Sequence, residues 1–329
     1  MKPVLGITLG DATGIGPEIV AKLCNEQAMK KYCRPVLIGD LRVMKMGQEI
    51  AGVSYPVPVI DAVSDADWDG PIPILDQKNL DRDDFRLGEI NAVSGKVTGD
   101  SLITCLDLCK KGDINGFVYA PLNKAAMIRG GYDFKDEFAV FSDYLNWTEN
   151  HGEMNVVKDV WTTRVTSHIP IKNISNELSM EKLVLALELA DMTMKRAGKK
   201  RPKIGVAALN PHCGEDGLCG REEIDVIEPA IKIARERGID ALGPFSPDTI
   251  FIAAFEGEYD AVTVMYHDQG QIALKLQGFE QAVTVSAGFP YAITTPAHGT
   301  AFDIVGKGVA KISATERAVD ICSKMAADG

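Results

Sequence analysis

No apolar run in this 329-residue chain approaches the roughly 20 residues that a membrane-crossing helix needs, so a membrane-spanning protein is not expected. A basic start followed by an apolar stretch, the pattern of a secretory leader, is also missing. The seven cysteines are an odd number without a Cys-x-x-Cys pair, which argues against a disulfide framework, a redox motif or a zinc knuckle. Cys105 with Cys109, one helical turn apart, and Cys213 with Cys219, in a Gly-rich loop, read as structural thiols. Together these absences point to a reducing cytoplasm. Positive charge is scarce as well: 35 Lys and Arg face 46 Asp and Glu, a formal net charge of -11. Nucleic acid and anionic membranes both demand clustered cations, so neither is expected as a partner. One basic stretch, Lys195 to Arg201, reads as a solvated helix end leading into a strand. There is no internal repeat and no low-complexity tract.

What is present is a chain with 46% hydrophobic residues, enough to bury the core of one large or two ordinary domains. Short β-rich runs alternate with segments of helical period, the signature of a parallel sheet covered by helices. The predicted strands are Val4 to Leu9, Pro35 to Ile38, Gly116 to Tyr119, Lys203 to Leu209, Ala261 to Tyr266 and Ala282 to Ser286. The predicted helices are Pro17 to Lys31, Gly95 to Lys111, Ser179 to Arg196, Arg221 to Arg237 and Thr315 to Ala326. Pro17 followed by Glu18 suits a helix start, where a missing N–H costs little and the dipole favours an acid. The Pro- and Asp-rich segment from Val53 to Asp84 reads as irregular, with short extended pieces at Pro58 to Ile60 and Ile72 to Leu75. A two-lobed α/β protein with a central cleft is expected, the chain crossing between lobes near Ala120 to Lys124.

Three of the five histidines stand where an apolar strand gives out. His168 ends Val160 to Ser167, His212 follows Ile204 to Pro211, and His267 follows Ala261 to Tyr266. Ligands of open α/β sheets bind outside the carboxyl ends of strands, so these imidazoles could converge on one metal ion. They lack any local ligand spacing, however, and three unrelated histidines fit the spacing as well. Asp268, beside His267, could be a ligand, a partner of the imidazole or a proton acceptor. His151 reads as a surface residue.

Two glycine-rich stretches also stand out. Gly10-Asp11-Ala12-Thr13-Gly14-Ile15-Gly16-Pro17-Glu18 follows the first strand and opens a helix, so its amides could face an anion or simply make a tight turn. It lacks the third glycine of a dinucleotide fingerprint. His298-Gly299-Thr300-Ala301-Phe302-Asp303, continuing to Gly308, combines an imidazole able to stack on a base with an acid able to bind a ribose. By itself it could equally be a loop and a capped helix.

Taken together, several blocks resemble the 4-hydroxythreonine-4-phosphate dehydrogenase (PdxA) family over nearly the whole chain. They are Ile7-Thr8-Leu9-Gly10-Asp11 with Gly14 to Glu18, Ala120-Pro121-Leu122-Asn123-Lys124, Thr166-Ser167-His168-Ile169-Pro170, Leu209-Asn210-Pro211-His212, Met265-Tyr266-His267-Asp268-Gln269-Gly270 and His298-Gly299-Thr300-Ala301. The resemblance implies a two-lobed α/β/α fold related to the isocitrate and isopropylmalate dehydrogenases. One lobe would span 1–125 with 290–329 on the cofactor side; the other, 126–289, would carry metal, substrate and dimer contacts. It implies His168, His212 and His267 as ligands of a divalent ion (zinc, cobalt, nickel, manganese or magnesium). Gly10, Asp11, His298, Gly299, Thr300 and Asp303 would serve NAD, with NADP not distinguished. A homodimer with sites built from both subunits is implied, acting on a small hydroxy acid that is oxidised and can then lose its carboxylate. Asp268 and Lys275 are the expected proton-transfer residues, Lys275 also holding an anionic substrate group, with Lys124 and Asp248 as further candidates.

The departures from the family pattern concern the substrate. Where the family carries Gly-His-Thr-Glu, this chain reads Asp136-Glu137-Phe138-Ala139, so Glu137 and Phe138 replace a substrate-binding His and Thr. An Asn and an Arg of the family fall at Thr284 and Ile293. A phosphate dianion needs several charge-assisted donors, and these exchanges remove them. The expected substrate therefore differs from 4-phosphohydroxythreonine, lacking the phosphate or carrying it elsewhere. The family's best-known reaction belongs to pyridoxine biosynthesis; a catabolic dehydrogenase of a sugar acid or cyclic diol is the alternative. A metal-dependent hydrolase or lyase without NAD, or a non-catalytic binding relative, would use the same histidines differently.

Overall fold

Apolar runs too short for helices form strands that are buried on both faces, and the segments between them supply the covering helices. The computed structural model describes residues 1–327. Its first unit, Met1–Glu149 with Phe289–Gly329, begins with β1 (Val4–Thr8), α1 (Gly16–Asn25), β2 (Arg34–Gly39), α2 (Leu41–Ala51), β3 (Val59–Ile60) and β4 (Ile74–Asp76). It continues with α3 (Ala92–Lys111), β5 (Gly116–Tyr119), α4 (Lys124–Arg129) and α5 (Glu137–Leu145). The second unit, Asn150–Gly288, contains β6 (Gly152–Val157), β7 (Val160–Arg164), α6 (Ile174–Glu177), α7 (Met180–Arg196), β8 (Lys203–Ala207) and α8 (Glu228–Glu236). It ends with β9 (Asp240–Phe245), α9 (Ile250–Phe255), β10 (Ala261–Val264), α10 (His267–Gly278) and β11 (Val283–Ala287). The chain then returns to the first unit as β12 (Ala292–Pro296) and α11 (Ser313–Ala327).

In the first unit the strands run β3-β4-β2-β1-β5-β12, all parallel. Phe117 on β5, Phe141 on α5, Ile293 on β12 and Phe289 just before it share one core cluster, with the Phe117 and Phe141 rings edge to face at 5.8 Å. That packing explains why the chain does not cross near Ala120 to Lys124 as expected. The α4 and α5 helices follow that point and remain in the first unit, so the crossing comes only after Glu149.

The second unit has the order β11-β6-β7-β10-β8-β9. β6 is antiparallel to β11 and β7, while β7, β10, β8 and β9 are parallel. All six predicted strands form, as do the two short pieces of the Val53 to Asp84 connection. Two helices depart from expectation. α1 stops at Asn25 because Gln27 takes a left-handed conformation before a short 3-10 turn. The predicted Arg221 to Arg237 helix is divided, a π-helical turn at Glu223–Ile227 preceding α8, whose start carries Pro229.

Candidate functional site

Parallel pairing decides where the histidines go. β7 and β10 are in register as far as Arg164 and Val264. The ladder continues through Val165 N–H to Val264 O (2.9 Å) and Thr166 N–H to Met265 O (3.1 Å), and the Thr166 hydroxyl donates to Met265 O at 2.7 Å. Both chains then turn away from the sheet, leaving the His168 and His267 rings 5.4 Å apart, tilted by 46°. On its other side β10 pairs with β8, whose continuation leads to His212. Gln269 ties these two ends together, accepting from Met265 N–H (2.7 Å) and donating to Ala208 O (2.8 Å). Three adjacent parallel strands thus lead to the three histidines at one sheet edge.

The pair suits a shared cation. With N–metal bonds of about 2.1 Å and about 1.1 Å from Nε2 to ring centre, two imidazoles on one tetrahedral ion place their centroids about 5.2 Å apart. The observed separation is close to this. His267 Nδ1 lies 2.7 Å from Asp268 Oδ1; an ionised carboxylate only accepts, so Nδ1 donates and Nε2 is the atom left for a metal. His212 Nδ1 lies 2.9 Å from Glu215 Oε1. That hydrogen bond and the Glu215 charge, with a smaller contribution from Asp248, push the His212 imidazole above its ordinary pKa. Among the described residues, no three His, Cys, Asp or Glu side chains stand together as a complete metal site. One chain gathers a pair, with the third imidazole on the same edge.

The loop carrying His212 is unusual. His212, Cys213, Gly214, Glu215 and Asp216 all have positive φ, between 45° and 79°, forming a left-handed turn. Four are not glycine, and each costs roughly 1–2 kcal/mol in that conformation. Such strain persists only when its surroundings fix it. Here buried Glu223 accepts from Leu209 N–H (2.9 Å), Asn210 N–H (2.8 Å) and Asn210 Nδ2 (2.9 Å), anchoring the base of the loop. Asp268 and Lys275, seven residues apart on α10, share an exposed helix face. Asp248 is exposed in the turn before α9. Thr284 is buried on β11, its hydroxyl accepting from Asn155 Nδ2 at 3.1 Å.

The glycine-rich turn after β1 behaves differently. The amides of Asp11, Ala12, Thr13, Gly14 and Ile15 donate to Pro121 O, Ser94 Oγ, Asp11 Oδ1, Asp11 O and Thr300 O respectively. None of these five is presented to an anion, so of the two readings of this stretch it is the tight turn that forms. Gly10 has φ +70°, and a Cβ on Gly14 would meet Thr300 Cβ at 2.7 Å, so the turn is built for close packing. Asp11 is wholly buried; its Oδ1 accepts from Thr13 and Ser94, while Oδ2 has no hydrogen-bond partner among the described residues. Glu18, also buried, accepts from Lys22 Nζ (2.8 Å) and Ala310 N–H (2.7 Å), and Lys22 donates to Gly308 O and Ala310 O. The glycine-rich turn and the 300–310 loop are thereby clamped together. His298 stays at the rim, its imidazole pushed below the ordinary pKa by burial. Space is open around Gly299, and Asp303 is exposed. An imidazole, an open backbone and an exposed carboxylate fit a nucleotide.

At the altered positions, Glu137 starts α5 as a buried carboxylate that accepts from Tyr119 OH (3.1 Å) and pairs with Lys124 Nζ (3.2 Å). The Phe138 ring lies 6.4 Å from that of Phe289. Ile293 is fully buried in the aromatic core, so its side chain serves packing and offers no polar contact. The sequence reading missed Glu215 altogether; Glu three residues after His212 was the available signal.

Residues 31–322 match the family model described as pyridoxal phosphate biosynthetic protein PdxA. The chain belongs to the PdxA family. A Pseudomonas aeruginosa relative provisionally named 4-hydroxythreonine-4-phosphate dehydrogenase 2 is 42% identical, covering 98% of this chain and 97% of the relative. A Clostridium botulinum relative provisionally named D-threonate 4-phosphate dehydrogenase is 32% identical over 98% of this chain and 97% of its own. The crystal structure of Klebsiella pneumoniae 4-hydroxythreonine-4-phosphate dehydrogenase superposes with a TM-score of 0.87 at 31% identity, covering 99% and 98% of the two chains. At the level of fold alone, a β-decarboxylating dehydrogenase of Thermococcus kodakarensis aligns with a TM-score of 0.50 at 12% identity, covering 96% of this PdxA-family chain and 81% of its own. Among the described residues, no helix is long and apolar enough to cross a membrane, and none of the seven cysteines forms a disulfide.

Proposed function

We infer that this chain is a cytoplasmic dehydrogenase that oxidises a small hydroxy acid with NAD and one divalent ion, and that it works as a homodimer. The observation carrying this reading is the delivery of His168, His212 and His267 to one sheet edge by neighbouring strands, the first and last already in contact. The three imidazoles would hold the ion, with the His168 and His267 pair of one subunit completed by His212 of the other. A divalent ion and NAD supply the Lewis acidity and the hydride acceptor that alcohol oxidation requires. The chain's own side chains do the rest. Asp268 takes the proton of the substrate hydroxyl, Lys275 holds its carboxylate, and Asp248 and Thr284 lie beside the substrate. His298, Gly299, Thr300 and Asp303 hold the nucleotide, with Gly10 and Asp11 shaping the turn that supports Thr300.

Glu137 favours a substrate unlike those for which the relatives are named. Its buried carboxylate offsets the charge of Lys124, and a neutral hydroxylated group suits that pair better than a phosphate dianion. Steady-state assays with phosphorylated and unphosphorylated hydroxy acids, NAD and metal test this. Efficient turnover of 4-phosphohydroxy-L-threonine would overturn it. Glu137→Gln, which frees the Lys124 charge, is expected to lower KM for a phosphorylated acid by about tenfold. Quenching of the three tryptophans by NAD separates a dehydrogenase from a cofactor-free hydrolase, which would show none.

A further inference from the structure

We propose that Glu215 is the positioning carboxylate of His212, fixing the imidazole as the tautomer that carries its proton on Nδ1 and offers Nε2 to a divalent cation. This rests on the metal reading above. The contact is direct: Glu215 Oε1 stands 2.9 Å from His212 Nδ1. It repeats the relation of Asp268 to His267, at 2.7 Å on the same ring atom, although the two arise differently. Asp268 is the next residue in the chain at the start of α10, whereas Glu215 is returned to His212 by the left-handed turn. Two of the three candidate ligands therefore have Nδ1 held by a nearby carboxylate, and a carboxylate on the far ring nitrogen orients a metal-binding imidazole and makes it a better donor.

A packing role for Glu215 fits less well. Its side chain is 45% exposed, and its other oxygen is 3.9 Å from the exposed Cys219 thiol. The loop is anchored by Glu223, which binds Leu209 and Asn210 without help from Glu215. The turn is closed by its own backbone, Leu218 N–H donating to Glu215 O and Cys219 N–H to Gly214 O. Removing the Glu215 side chain leaves the Glu223 anchor and the backbone bonds in place and takes away the hold on the imidazole and the long Cys219 contact.

The test uses the full-length protein with Co²⁺ as probe, its affinity measured by competition with a chelating dye, and nitrogen-15 NMR of the histidine rings in the metal-free state. Glu215→Ala is expected to weaken Co²⁺ binding roughly 10- to 100-fold and to move the His212 nitrogen signals from the Nδ1–H tautomer toward a mixture. Glu215→Gln keeps an acceptor oxygen and should recover most of the affinity. Both variants should melt with the wild type. A wild type that binds Co²⁺ tightly and a Glu215→Ala variant that matches it, with unchanged ring signals, overturn the Glu215 role alone. A wild type without affinity for Co²⁺ overturns the metal reading beneath it. Equal losses in Glu215→Ala and Glu215→Gln, accompanied by a fall in melting temperature, would show a structural residue and also overturn the proposal.

Discussion

The carboxyl edges of the two units occupy equivalent places in their sheets and are put to opposite uses. After β1, five consecutive amides donate to acceptors within the chain, and the carboxylates of Asp11 and Glu18 are buried where they tie loops together. After β7, β8 and β10, the polar groups turn outward. His168 is exposed, Asp268 is largely so, and His212 sits on a left-handed turn that no packing demand of its own side chain explains. The same topological position can thus bury its polar groups in contacts that tie loops together or leave them paired near the surface, and what separates the two is burial.

The contrast breaks most sharply if activity and stability fail to separate between the edges. His168→Ala or His267→Ala should lower metal-dependent turnover by about 10³-fold while leaving the denaturation midpoint in place. Co-expression of His168→Ala with His212→Ala chains should restore part of the activity in mixed dimers, because an intact pair then meets an intact His212. No restoration would place all three ligands in one subunit. On the other edge the largest effect should be on folding. Glu18→Ala leaves the buried Ala310 amide without its acceptor and removes the Lys22 ion pair, and should cost about 2 kcal/mol in chemical denaturation. A loss below about 0.5 kcal/mol would mean that the clamp between the two loops contributes nothing.

A smaller effect sharpens the comparison through pH. Burial alone would raise Asp40, but hydrogen bonds from the Arg42 side chain and from the Leu80 and Arg42 amides outweigh it and hold the carboxyl below its usual range. A depressed folded-state pKa contributes stability that is complete above the unfolded value, about 3.9, and is lost as pH falls through the lower folded value. Asp40 also caps α2, so Asp40→Ala should cost about 1 kcal/mol at pH 7, the gap narrowing in denaturation curves taken on acidification below about pH 4. A gap that stayed constant would show that the charge of Asp40 contributes nothing.

Much of this was readable because it depends on local pattern. The strands that lead to His168, His212 and His267 are short apolar runs, and the position of each histidine beyond a strand end follows from them. β6 was hidden because Glu153 and Asn155 interrupt its apolar pattern, and they do so to meet Arg164. α2 has Asp40 as its N-cap and Gly52 at its C-terminal end, signals that were present and passed over. The crossing point was misplaced because α5 belongs to the first unit through Phe141, whose partners on β5 and at Phe289 lie far away in sequence. The spacing of Glu215 from His212 was visible, but its return to the imidazole depends on left-handed backbone dihedrals that periodicity does not encode.

The first unit is assembled from both ends of the chain, while the second is one uninterrupted stretch. A nascent chain halted near residue 288 would hold every strand of the histidine-bearing unit yet lack β12, the neighbour of β5, and α11. The second unit's sequence is thus complete before the strand that finishes the first unit's sheet has been made.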